Sequence, residues 1–404
     1  MTTMTTSHPA SISTERHAEQ FEFGLHTFGD VTSTPDGERQ LSQPEVLRNV
    51  LAEATLADAS GVDVIGIGEH HRPDYAISAP DVVLSAVGAA TERIKLISAV
   101  TVLSSDDPVR VYQRFATIDA LTGGRAEVSL GRGSFIESYP LFGYDLSDYE
   151  TLFEEKVDLF TKLRSEGPVT WSGSTRAGLK NQRIYPTTDH DAGLPTWVAV
   201  GGTPNSVIRA ARHGLGLELA IIGGAPQRFA PLVELYHRAL AEFGVEGERR
   251  VASHSHGFVA ETDERAEELF YPSWAESMHQ IGKERGWGNS YPSRAQFQQE
   301  IAQGALFVGS PETVAKKIVE TQKSLGITRF GLKYGNGSLA HEHMMEAIEL
   351  YGTRVKPLVL DMLSESCGSG PEVPGSCLGE ERDSEWLFGA ETARLRPNNW
   401  KGGA

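Results

Sequence analysis

The chain has 404 residues, a formal net charge of −17, 39% hydrophobic and 23% charged side chains, and two cysteines. That much apolar material builds a full core, the acidic balance disfavours a nucleic-acid partner, and Cys367 and Cys377, both near the C-terminal end, exclude a disulfide framework or cysteine nucleophile from the rest of the chain. No stretch offers the roughly 20 apolar residues of a membrane span, and residues 1–20, rich in Thr and Ser, lack the apolar run of a signal peptide, so a cytoplasmic protein is expected.

Residues 1–20 are expected to be a disordered segment ahead of one barrel domain spanning 21–361. Short runs rich in Val, Ile and Leu read as strands buried on both faces. The first is Phe21–Thr27, followed by a long connection, Phe28–Gln43, and an amphipathic helix over Pro44–Ser60. Ser42 and Glu45 there form a capping-box pattern. Asp63–Gly68 is the second strand and Ile94–Val102 the third, backed by a helix over Val109–Ala120. Arg125–Leu130 is the fourth, with a helix over Tyr149–Leu163. The connection Gly167–Pro195 exceeds ordinary loop length, and its segments Val169–Trp171 and Arg183–Tyr185 are expected to pair as a small hairpin. Thr196–Val200 and Leu217–Ile222 are the fifth and sixth strands, each leading to a helix, Pro204–His213 and Phe229–Phe243. Val251–Ala260 is the seventh, followed by an insertion over Phe270–Phe307. Ser310 and Pro311 open a helix to Leu325, Arg329–Lys333 is the eighth strand, and His341–Val359 closes the domain. Ser364–Gly379 has linker composition, and 362–404 is expected to be a flexible tail.

Alternating strands and helices define the α/β class, and eight such units fit a (β/α)8 TIM barrel with insertions. An open doubly wound sheet is the alternative; the lack of a Gly-x-Gly-x-x-Gly turn favours closure.

In a parallel barrel the chemistry gathers where strands end and helices begin. Glu69, His70 and His71 follow the second strand at once, suited to proton transfer or cofactor contact or, alternatively, to capping a helix. Neighbouring side chains diverge, and His70 is taken as the inward one. Arg132 lies between Gly131 and Gly133 after the fourth strand, where it can meet an anion or make a solvent salt bridge. The fifth strand runs into Gly201, Gly202, Thr203, Pro204, Asn205 and Ser206. Two glycines permit close approach of backbone to ligand, and a capped helix start turns its amides toward a phosphate. A well-capped helix without a ligand is the bland reading. Ser98–Leu103 has residues small enough for a flat ring to lie against, although a plain buried strand shows the same composition. His254 and His256 share a face of the seventh strand. The fifth and sixth strands add no histidine and the first only His26, so no metal site is expected.

Glu69-His70-His71, Ser98–Leu103, Asp107–Arg110, Gly123–Arg125, Gly131–Gly133 and Gly201–Ser206 occur in one order, and in that order the chain resembles the bacterial luciferase-like flavin-dependent monooxygenases, from about Phe21 to Val359. Lys333-Tyr334-Gly335 and Leu339-Ala340-His341-Glu342 resemble a subgroup of that family. The resemblance implies reduced FMN as cofactor, its phosphate held by Arg132, Gly201, Gly202, Thr203 and Ser206. It places a cis peptide at Ala99–Val100, with Thr101 beside it, under the flavin ring, and makes His70, with Glu69, catalytic. It implies oxygenation of a small organic substrate by dioxygen, reduced flavin from a separate reductase, and a homodimer; light emission is not implied. Three positions depart from the pattern: Gly131 stands where luciferase has a reactive cysteine, Glu150 where a second phosphate-binding arginine is usual, and Ile221 where a tryptophan packs near the ring. Hydride transfer by a deazaflavin on the same fold, or flavin binding without turnover, are the alternatives.

Overall fold

A computed structural model describes residues 21–368 except Pro35, Ser134, Asp191, Glu248, Arg249, Arg285 and residues 287–289. The expectations for residues 1–20 and 369–404 lie outside the described residues. The strands are β1 (Glu22–Thr27), β2 (Val64–Ile67), β3 (Lys95–Ser98), β4 (Thr101–Val102), β5 (Ala126–Gly131), β6 (Val169–Trp171), β7 (Leu179–Gln182), β8 (Thr196–Val200), β9 (Gly216–Ala220), β10 (Val251–Val259), β11 (Phe307–Gly309) and β12 (Arg329–Lys333). Among the described residues, eight of them pair in parallel in the cyclic order β12, β1, β2, β3, β5, β8, β9, β10 and back to β12. The expected closed barrel is therefore present, its strand limits within two residues of those read from sequence. The third strand is divided: the Ala99–Val100 peptide is cis, and Thr101–Val102 continues the pairing onto β5.

One expectation is corrected, and the structure adds elements that the sequence pattern left unmarked. β6 pairs antiparallel with β7, so the hairpin partner is Leu179–Gln182 and not Arg183–Tyr185. Leu179 packs on the core, whereas Tyr185 is exposed, gives its carbonyl to Gln113 Nε2 at 3.2 Å, and precedes a proline with no amide to donate. The segment expected as an insertion holds helices Asp263–Glu284 and Arg294–Gln303, and β11 extends the C-terminal end of β10. A helix over Pro80–Ala90 went unread because its small residues blur the amphipathic pattern. They serve close packing: a Cβ on Gly88 would stand 2.6 Å from Thr122 Cγ2 of the neighbouring helix Pro108–Thr122. The last helix, Lys356–Gly368, passes the expected domain limit at 361.

Alternation along each strand separates two interiors. Outward residues such as Phe23, Leu25, Ile65, Leu96, Val128, Leu217 and Leu332 join the core between barrel and helices. Inside the barrel the apolar content is a small plug of Val64, Ile97, Trp197 and Ala252. Beside it Arg329 forms a bidentate pair with Glu127 at 2.8 and 2.9 Å, and Trp197 Nε1 donates to the same carboxylate at 2.7 Å. The barrel interior is thus largely polar, and buried polar groups demand fixed partners.

Candidate active site

His70 stands just beyond β2, its amide donating to Ile77 O at 2.9 Å. Tyr75 stacks on the imidazole with ring centres 4.4 Å apart, and Phe28 and Phe135 meet it edge-on at 4.7 and 5.3 Å. This enclosure, reinforced by the nearby Lys333 and Arg72 charges, lowers the His70 pKa to about 3. The ring is therefore neutral at pH 7, with one nitrogen to donate and one to accept.

Glu69 is committed elsewhere. Its Oε2 accepts the Val102 amide at 2.8 Å and its Oε1 lies 2.9 Å from His71 Nε2. It ties the end of β2 to β4, immediately after the cis peptide. Arg72 reaches three segments: Asp74 on its own loop, Glu137 after β5 at 2.8 Å, and Glu284 on the long helix at 2.7 Å. Its guanidinium also covers the Phe135 ring at 4.4 Å.

The glycines at the mouth have a specific steric cause. A Cβ on Gly131 would stand 2.4 Å from Val100 Cγ2, and one on Gly68 would stand 2.3 Å from Phe28 Cδ1 and 3.0 Å from Ala99 O. The departure at Gly131 follows directly: Val100 occupies the space a cysteine side chain would need. Ala99 and Thr101 are buried, Val100 is half-buried, and Thr101 Oγ1 is buried without a hydrogen-bond partner.

Arg132, Ser206 and Thr203 converge after β5 and β8. Arg132 Nη2 donates to Ser206 Oγ at 3.4 Å, and Thr203 Oγ1 donates to the same oxygen at 2.8 Å. Thr203 makes no side-chain cap to the helix Pro204–Arg212, so its hydroxyl does not occupy the first-turn amides. Gly202 has φ +119°, open to glycine, and a Cβ on Gly201 would meet nothing within 4 Å. Arg132 Nη1 also pairs with Glu150, and Glu150 Oε2 lies 3.1 Å from Arg209 Nη2. One carboxylate is thus held between two guanidiniums beside the cradle.

Glu69–His71, Arg132 and Gly201–Ser206 each follow the C-terminal end of a barrel strand, and contacts join Glu69 to Val102 and Arg132 to Ser206. The missing part is the aromatic box: Phe28, Tyr75 and Phe135 sit on irregular connections, where no periodicity marks a side chain as inward. The residues of the later motifs are bracing. Lys333 Nζ pairs with Asp30 at 2.9 Å, while Tyr334 and His341 both bond Glu53, at 2.7 and 2.8 Å. His254 joins His26 and Glu218, not His256, in a buried group whose ligand-type atoms lie within 4.8 Å of one another. Burial lowers the His26 pKa to about 3, while the Glu218 carboxyl, beside His254, is held down to about 2. A count of histidines overlooked this group because the sixth barrel strand contributes a carboxylate.

A closed parallel barrel with an arginine, two hydroxyls and two glycines beyond the C-terminal ends of β5 and β8, and a histidine in an aromatic box beyond β2, has the architecture of an α/β-barrel enzyme. The sequence model of the luciferase-like monooxygenases matches residues 22–329. The chain belongs to that family and is an oxidoreductase of it. The alkanal monooxygenase alpha chain of Photorhabdus luminescens is 25% identical over 206 residues, 51% of this chain and 56% of that one, so the match spans little more than half the relative's length. The oxygenating constituent of 3,6-diketocamphane monooxygenase from Pseudomonas putida, a type II Baeyer-Villiger monooxygenase solved with FMN, superposes with TM-score 0.68 at 18% identity, covering 84% of this chain and 98% of that one. The coenzyme F420 dependent tetrahydromethanopterin reductase of Methanopyrus kandleri superposes with TM-score 0.63 at 18% identity, covering 83% and 99%. At these identities the two structures support the fold alone.

Proposed function

We propose that this chain is an FMN-dependent monooxygenase that uses reduced flavin and dioxygen to oxygenate a small organic substrate. The observations that support this reading are the Arg132–Ser206–Thr203 cradle and a neutral, enclosed His70, each beyond the C-terminal end of a barrel strand. The residues present fit FMN: Gly201 leaves open space, Thr101 offers a buried unpartnered hydroxyl, and the cradle supplies a cation and two hydroxyls. When bound, reduced FMN supplies the two electrons that activate dioxygen. Arg132, Thr203, Ser206 and the Gly201–Gly202 backbone hold the phosphate. Ala99, Val100 and Thr101 form the surface for the ring. Phe28, Tyr75 and Phe135 keep water from the reacting face, and His70 holds or moves a proton there at a ring nitrogen. Glu69 is a positioning residue acting through Val102 and His71. Lacking a dinucleotide fingerprint, the chain takes its reduced flavin from a separate reductase; a cytoplasmic homodimer belongs to the same reading. No described helix is long and apolar enough to cross a membrane.

The deazaflavin reading keeps the same cradle, and the fold is one that the coenzyme F420 dependent reductase shares. Anaerobic titration with reduced FMN and with a reduced deazaflavin, followed by oxygen and candidate substrates with product masses recorded, separates the two. FMN binding, oxygen incorporation into product, and a loss of about 10²–10⁴ in turnover for His70→Ala at unchanged FMN affinity are the expected results. Saturation by deazaflavin alone, or full turnover in His70→Ala, would overturn the proposal.

A further inference from the structure

Glu218 is a carboxylate in the middle of the barrel with an unusual lack of fixed countercharge. Its neighbours inside the barrel are balanced: Arg329 and Lys95 serve Glu22 and Glu127, and Lys333 serves Asp30. Among the described residues Glu218 forms no ion pair with arginine or lysine. Ser129 Oγ donates to its Oε2, which fixes the carboxylate plane and leaves Oε1 turned toward His254 Nδ1 at 3.5 Å, long for a hydrogen bond. His254 Nδ1 and His26 Nδ1 are both buried without a hydrogen-bond partner. Orphaned buried nitrogens are costly, and one of them, His254 Nδ1, is turned to the Glu218 carboxylate.

The backbone has been cleared to let these groups meet. A Cβ on Gly66 would stand 2.6 Å from His26 Cδ2, and one on Gly331 would stand 2.7 Å from His26 Nε2 and 3.2 Å from the His254 Cβ. Three strands, β1, β9 and β10, each contribute one ligand-type side chain, and the three meet although Glu218 stands opposite Ala252 and His254 opposite Gly331 in the strand register.

We propose that His26, Glu218 and His254 form a binding site for one divalent transition-metal ion, with zinc the best match. Two imidazoles and a carboxylate suit that borderline cation. Bonds of about 2.1 Å place ligand atoms at most about 4.2 Å apart, against the present limit of 4.8 Å, a difference that side-chain rotation closes. Ser129 is then the outer partner that orients the ligating carboxylate. His256, two residues nearer the mouth on the same face of β10, is not one of the ligands. The site stands independently of the flavin reading, because none of its residues belongs to the cradle or the His70 box.

The test uses the full-length protein dialysed against Zn²⁺ and then against metal-free buffer, with bound metal measured by mass spectrometry; Co²⁺ substitution gives a visible absorption readout. One equivalent of zinc is expected, with affinity falling at least about a hundredfold in Glu218→Gln and in His254→Gln and about ten- to a hundredfold in Ser129→Ala. Circular dichroism identifies any variant that fails to fold; since Ser129→Ala spares all three ligands, an unchanged affinity there counts against the proposal. His256→Gln keeps the equivalent. Less than stoichiometric zinc in the wild type, binding untouched by Glu218→Gln, or binding abolished by His256→Gln overturns it. FMN titration of the same samples reports on the flavin reading separately.

Discussion

Glu150 stands where the resemblance leads one to expect an arginine, and the structure shows what the exchange does. Its carboxylate pairs with Arg132 and Arg209, so the cradle carries its own anion. A phosphate arriving at Arg132 meets a cation already shared. The Glu150 side chain is 64% exposed, which limits the contribution of the pair to that of a screened surface contact. Glu150→Gln is accordingly expected to tighten FMN about two- to fivefold and to steepen the loss of affinity with salt, measured by fluorescence quenching at several ionic strengths. Weaker binding would show instead that Glu150 aims Arg132. Residues at strand ends were legible in the sequence: His70, Arg132, Thr203 and Ser206 follow barrel strands whose limits the sequence marks. Glu69 was read as catalytic from its place beside His70, but its bonds to Val102 and His71 are invisible without the third strand. Phe28, Tyr75 and Phe135 were not legible, because they meet only after three separate connections are folded over β2.

At the level of elements, the divided third strand and β5 fit as a pair. Val100 fills the space in front of Gly131, with 2.4 Å between its Cγ2 and any added Cβ. Gly131→Cys should therefore destabilise the protein by about 1–3 kcal/mol through overpacking, read from urea unfolding, and Val100→Ala in the same chain should recover most of that loss. Additive effects of the two substitutions would separate the positions. Small residues act in two ways along this chain. In Ser98–Leu103 they marked a surface against which a ring can lie; in Pro80–Ala90 they concealed a helix. The reason is common to both: a small side chain signals close approach without saying what approaches.

For the molecule as a whole, the polar barrel interior sets the response to acid. His26 and His70 have pKa values lowered to about 3, and burial lowers His256 well below its usual range. The unfolded chain takes up protons at these histidines below about pH 6.5, while the folded one stays neutral until about pH 3. Stability therefore falls as pH drops through that window, by about 1.4 kcal/mol per pH unit for a fully buried imidazole such as His26. Glu127 and Glu218, both held at about 2, add to the loss below about pH 4.5. Calorimetry from pH 7.5 to 5 should show a falling Tm and proton uptake on unfolding; a flat Tm over that range contradicts the assignment of neutral buried histidines.

The amino-acid sequence by itself determined the strand and helix alternation, the barrel class and the strand ends that carry Glu69–His71, Arg132 and Gly201–Ser206. These are properties of local patterning, since hydrophobic period, capping and glycine placement act over a few neighbouring residues. Only the tertiary structure decided that Glu69 bonds the Val102 amide and His71, that Glu150 lies between two arginines, and that His254 joins His26 and Glu218 and not its strand neighbour His256. Each of those outcomes depends on distances between strands far apart in the chain, which register and closure of the barrel set and local patterning does not encode.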